Sequence, residues 1–181
     1  MTENRAPQAT PKASLEQYCR QEAQTASLAR QLATSVKQVI EQAPATHLNI
    51  SLEGQLGAGK TTFARNLIQS LGYAGKVKSP TYTLCEVYEL SCNQSTFTAH
   101  HFDLYRMRDP LEWQEAGFAE YFDVPGFCLI EWPEKAEGTL PEFDIQIQLS
   151  AGLDENERNI VINAFSEQGH NLLKMVQKHP T

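Results

Sequence analysis

Apolar residues recur at helical spacing between Gln21 and Gln42, where Ala26, Leu28, Ala29, Leu32, Ala33, Val36, Val39 and Ile40 mark one face of an amphipathic helix that Pro44 stops. Leu48, Ile50 and Leu52 then alternate with His47, Asn49 and Ser51, the period of a strand, and run into Gly54. A second helix is predicted over Lys60–Leu71, with Gly72 as its stop. The β-rich runs Thr83–Leu90 and Phe97–Leu104, separated by residues 91–96, read as a hairpin. Asp109-Pro110 opens a helical stretch to about Phe122, because Asp caps well and Pro suits the first helical position. Val124-Pro125-Gly126 turns the chain into the apolar run Phe127–Ile130, short enough for a buried strand. Strands are expected at Asp144–Leu149 and Asn159–Ala164, with residues 152–158 between them and a terminal helix over Ser166–Gln177. Leu15–Cys19 reads as a short edge strand, and residues 1–14, poor in large apolar side chains, as a flexible tail. One mixed α/β domain over residues 15–181 follows, a sheet with an antiparallel hairpin flanked by helices.

The strand, loop and helix around position 54 frame the strongest chemical signal. Gly54-Gln55-Leu56-Gly57-Ala58-Gly59-Lys60-Thr61 satisfies G-x-x-x-x-G-K-[ST] in the context that motif requires. Its glycines let backbone N–H groups turn inward around phosphate oxygens, and the helix beginning near Lys60 adds its positive dipole end. Lys60 supplies a mobile charge, and Thr61 a hydroxyl ligand for Mg²⁺. Such a site needs a carboxylate at the end of a neighbouring strand, and two qualify: Glu131 after Phe127–Ile130, and Asp103 after Phe97–Phe102. Thr81, following Ser79-Pro80, occupies the place of a switch loop between the P-loop helix and the next strand, although Ser-Pro-Thr is also an ordinary turn. Trp132 after Glu131 fits either a nucleotide-facing indole or a core residue. Arg106 and Arg108 read as solvated, and His100-His101 has no surrounding cluster that would make it a metal pair.

Composition narrows the function. Lys+Arg 15 against Asp+Glu 22 gives a net charge of −7, which opposes a broad electrostatic grip on nucleic acid or anionic lipid. No apolar run approaches the ~18 residues of a membrane helix, and residues 1–14 lack the apolar segment of a signal peptide, so a cytoplasmic protein with no membrane contact is expected. The cysteines Cys19, Cys85, Cys92 and Cys128 form no C-x-x-C pair and read as reduced structural thiols.

The P-loop continued by Thr62-Phe63, then Val77-Lys78-Ser79-Pro80-Thr81-Tyr82-Thr83-Leu84, His101-Phe102-Asp103-Leu104-Tyr105-Arg106 and Ile130-Glu131-Trp132-Pro133-Glu134, resembles in order the motifs of the TsaE (YjeE) family of bacterial ATPases. The resemblance covers about residues 22–165. It implies a small P-loop ATPase that uses ATP and Mg²⁺ and binds TsaD and TsaB, supporting their transfer of a threonylcarbamoyl group to adenosine 37 of tRNA. The tRNA is then reached only indirectly, through that complex. Carried over by position, Gly57, Ala58, Gly59, Lys60, Thr61 and Thr62 would bind phosphates, and Thr61 and Glu131 would hold Mg²⁺. Asp103 would be the required strand-end acid, Thr81 the switch threonine and Trp132 the site-adjacent indole. Gln55 stands where the family usually has an acid, which leaves backbone phosphate binding intact. The alternatives are a P-loop kinase acting on a small metabolite, against which stands the lack of a long basic lid, and an adaptor that binds ATP merely to fold. A GTPase is disfavoured because no Asn-Lys-x-Asp occurs to read guanine.

Overall fold

A computed structural model describes residues 9–93 and 95–178. The strand β2 (His47–Glu53) lies at the centre of a seven-stranded sheet, between β5 (Gly126–Glu131) and β6 (Ile145–Ala151), and runs parallel to both. β4 (Ser95–Asp103) continues the parallel set beside β5, and β3 (Cys85–Cys92) closes that side as the antiparallel arm of the expected hairpin. On the other side β7 (Arg158–Ala164) pairs antiparallel with β6 and with β1 (Ala13–Cys19), so the order is β1-β7-β6-β2-β5-β4-β3. β5 is buried along its whole length because helices and loops cover both sides of the sheet here, whereas β2 puts Leu48, Ile50 and Leu52 on one face and Asn49 and Ser51 on the other.

Alternation along β5 distributes the core. Phe127 and Leu129 join the larger cluster, under α1 (Glu22–Gln42), α2 (Lys60–Ser70) and α4 (Glu167–Lys178), whereas Cys128 and Ile130 join Phe102, Trp113 and Phe122 on the opposite face. In α1 the buried positions Leu28, Ala29, Leu32, Ala33, Val36 and Ile40 follow the predicted stripe. Burying each of its larger aliphatic side chains contributes roughly 1.5–3 kcal/mol.

Three boundaries differ from expectation. β1 begins at Ala13, and the Lys12 N–H already donates to the Ala164 carbonyl at 2.7 Å, so residues 12–14 belong to the sheet rather than to a tail. Residues 1–8 of the expected tail lie outside the described residues. The stretch from Asp109 to Phe122 is not one helix but a single turn, α3 (Glu112–Glu115), and a 3₁₀ turn at Ala119–Phe122, because Gly117 between them takes φ 83° and ends the helical path. The hairpin strands extend into the expected turn, with Ser91 facing Thr96 and Cys92 facing Ser95. The cysteines are all unpaired, and burial pushes the Cys85 thiol up to about 12, as befits inert structural thiols.

Candidate functional site

β2 delivers the chain to Gly54, whose φ of 144° and closeness to β6 leave no room for a side chain: a Cβ there would lie 2.3 Å from the Leu149 carbonyl oxygen. The loop turns through Gly57 and reaches Gly59 at φ 100°, from which α2 starts without a side-chain cap. The N–H groups of its first turn therefore face the loop, the arrangement that receives anions. Lys60 Nζ donates to the carbonyls of Gly54 at 2.6 Å and Gln55 at 2.9 Å and sits 3.8 Å from the centroid of the Trp132 ring. Burial lowers the Lys60 pKa, while Glu131, Glu134 and Asp103 favour its charged form.

Period-two alternation puts His101, Asp103 and Glu131 on the α2 face of the sheet, at the carboxyl ends of adjacent parallel strands. Glu131, 2% exposed, accepts from Thr61 Oγ1 at 3.0 Å on one oxygen and meets His101 Nε2 at 2.8 Å on the other. A hydroxyl and a carboxylate at this separation are the oxygen donors that Mg²⁺ takes, usually together with water and phosphate, so the residues fit that ion. Among the described residues there is no group of three or more His, Cys, Asp or Glu side chains able to hold a metal unaided.

Asp103 ties three segments together. Its Oδ2 accepts from Thr81 Oγ1 at 2.9 Å and from Ser79 Oγ, and its Oδ1 accepts from the Tyr105 N–H at 3.1 Å. The loop at 79–81 is thereby fastened to the end of β4. Trp132 follows Glu131 in the left-handed region, φ 59° and ψ 49°, a conformation costly for so bulky a residue. The contacts of its ring with Lys60 and with Tyr105, at 4.9 Å between centroids, hold it there.

These groups surround one cleft of about 430 Å³. Of the residues singled out in the sequence, Gly57, Gly59, Lys60, Thr61, Thr62, Thr81, Asp103, Glu131 and Trp132 all line it. Ala58 is buried, and it contributes a carbonyl that accepts from Arg158 Nε at 2.8 Å. Arg106 instead lies over the Tyr82 ring, and the Arg108 N–H donates to Glu112. Sequence reasoning missed Ser79, His101, Tyr105 and Arg158 as parts of the site. The two-residue spacing of His101 and Asp103 carried a signal for the first of these strand residues, whereas Arg158 reaches the P-loop only through sheet pairing.

A family model described as "Threonylcarbamoyl adenosine biosynthesis protein TsaE" matches residues 19–160. The tRNA threonylcarbamoyladenosine biosynthesis protein TsaE of Haemophilus influenzae is 44% identical over 124 residues, 68% of this chain and 75% of that one. The protein of the same name from Bacillus subtilis is 37% identical over 130 residues, 72% and 78% of the two chains. The crystal structure of Bacillus subtilis YdiB superimposes with a TM-score of 0.71 at 28% identity, covering 92% of this chain and 96% of that one.

Proposed function

The chain belongs to the TsaE family of threonylcarbamoyl adenosine biosynthesis proteins, and from that premise we propose that it is the ATP-hydrolysing member of a cytoplasmic tRNA-modifying assembly, acting on TsaD and TsaB. The observation that carries this reading is the convergence of Lys60, Thr61, Asp103 and Glu131 on a single cleft at the P-loop. Lys60 brings its charge to the phosphates from inside the loop. Thr61 and Glu131 would hold Mg²⁺, which supplies neutralisation of phosphate charge when bound.

Asp103 gives the site its means of signalling. The Thr81 hydroxyl that bonds Asp103 stands beside the same cleft, so a γ-phosphate or its metal competes with Asp103 for it. Loop 79–81 then has two arrangements, one fastened to β4 and one turned to nucleotide. That difference is what a partner could read.

Single-turnover phosphate release from the chain alone and with TsaB and TsaD tests the proposal. Acceleration by the partner pair is the expected result. ATP binding without hydrolysis in either setting would defeat the ATPase reading, and phosphoryl transfer to an added metabolite would replace it with a kinase.

A further inference from the structure

We propose that His101 is a positioning residue for the carboxylate of Glu131, fixing which oxygen is offered to the metal. This rests on the ATP and Mg²⁺ reading of the cleft. His101 is fully buried on β4 and two residues before Asp103, so its ring lies under the site on the α2 face. Its Nε2 meets Glu131 Oε1 at 2.8 Å, whereas Nδ1 is buried without a hydrogen-bond partner. A carboxylate oxygen can only accept, so the contact is attractive when Nε2 carries the proton. His101 therefore donates from Nε2 to Oε1 of Glu131.

The geometry divides the labour of the carboxylate. Oε1 is held by an imidazole that belongs to the core, and Oε2 is left toward Thr61, 3.0 Å from its hydroxyl. Without the His101 donor the carboxylate would keep only its Thr61 contact and could turn about its last bond, which weakens the hold on a divalent ion. His101 touches neither Lys60 nor the loop carbonyls that Lys60 bonds, so its effect should be confined to the metal-dependent part of nucleotide binding.

Three variants of the full chain separate this role from simple packing. His101→Gln keeps a terminal amide donor at about the reach of Nε2, His101→Asn keeps polarity but places its donor short of Glu131, and His101→Leu keeps only bulk. ADP binding is measured by calorimetry in EDTA and across a Mg²⁺ titration, with folding followed by circular dichroism. In the Leu and Asn variants the Mg²⁺ concentration for half-maximal effect should rise about 10-fold or more, in line with the 10–100-fold cost of losing a metal ligand's outer partner, while affinity in EDTA stays constant. His101→Gln should remain within about 3-fold of the parent. In a Glu131→Gln background, His101→Leu should add nothing to the Mg²⁺ requirement. An unchanged Mg²⁺ dependence in the Leu and Asn variants overturns the proposal, as does an equal loss in EDTA. Failure of both those variants to fold also overturns it, since His101 would then be a core residue first. If the parent protein binds no nucleotide at any Mg²⁺ concentration, the reading of the cleft itself falls and takes this inference with it.

Discussion

Lys60 is the residue with most of its partners inside the P-loop, and deleting its side chain leaves the Gly54 and Gln55 carbonyls near a cleft that water can enter. Lys60→Ala should therefore retain the parent's circular dichroism and lower single-turnover phosphate release by about 10²–10³-fold, the scale for removing one preorganised charge donor. Near-parental release would remove Lys60 from the mechanism. Asp103→Asn should lower turnover with little change in ATP affinity, because Asp103 meets Ser79, Thr81 and Tyr105 rather than the backbone of the P-loop. A matching loss of affinity, seen by calorimetry, would count against that separation. Trp132 and Trp113 are the tryptophans, and Trp113 is buried with its indole N–H on Thr139. Nucleotide should therefore change only the emission of Trp132, and Trp132→Phe should abolish the change; a persistent signal would contradict the placement of Trp132 at the cleft. The P-loop residues were legible because their spacing along the chain is itself the constraint. Ser79 and His101 received no role, since each bonds a partner 24 or 30 positions away in sequence, and the two-residue spacing of His101 from Asp103 showed only the face it shares.

At the scale of elements, β4 carries opposite fates on adjacent residues. His101 lies with the site, whereas His100 points to the other face, stacked on Tyr121 at 4.3 Å between ring centroids. Burial, with a smaller contribution from His47, holds the His100 pKa down to about 4 against an ordinary 6.5. The unfolded chain thus binds a proton below about 6.5 that the folded chain refuses until about 4, and stability falls as pH drops through that window. His100→Phe, which keeps the stack and cannot be protonated, should flatten the decline of Tm between pH 7 and 5; a slope equal to the parent's would show that other groups set it. Long elements with clear periodicity were readable, α1 and β5 above all. The span 109–122 was misread because an N-terminal signal says where a helix starts but not how far it runs, and Gly117 at φ 83° interrupts it. The start of β1 was placed late because Ala13 and Ser14 have little strand character of their own and are recruited by Asn163 and Ala164.

For the whole molecule, a net charge of −7 gives little long-range attraction for a polyanion at physiological salt, where the Debye length is about 8 Å. Free tRNA should bind weakly or not at all in a filter or mobility assay, and tight binding would refute the charge argument. ATP should favour assembly with a TsaB–TsaD pair more than ADP does, and Thr81→Ala should blunt the difference by removing the hydroxyl that bonds Asp103 and that the proposed switch turns to nucleotide. Equal partner affinity in the two nucleotide states, measured by calorimetry with a non-hydrolysable analogue and with ADP, would defeat the switch. The order of strands was not legible, because neighbours such as β2 and β6, or β1 and β7, are joined by no local signal. That last pairing bears on how the chain is made. β1 is synthesised before its partner β7, which lies about 140–150 residues later in the chain. At synthesis rates of roughly 5–20 residues per second, the first strand waits on the order of 10–30 seconds for its place in the sheet. Its half-buried side chains and unpaired backbone are exposed for that interval, so the nascent chain offers early-binding chaperones a strand edge that the finished protein pairs with β7.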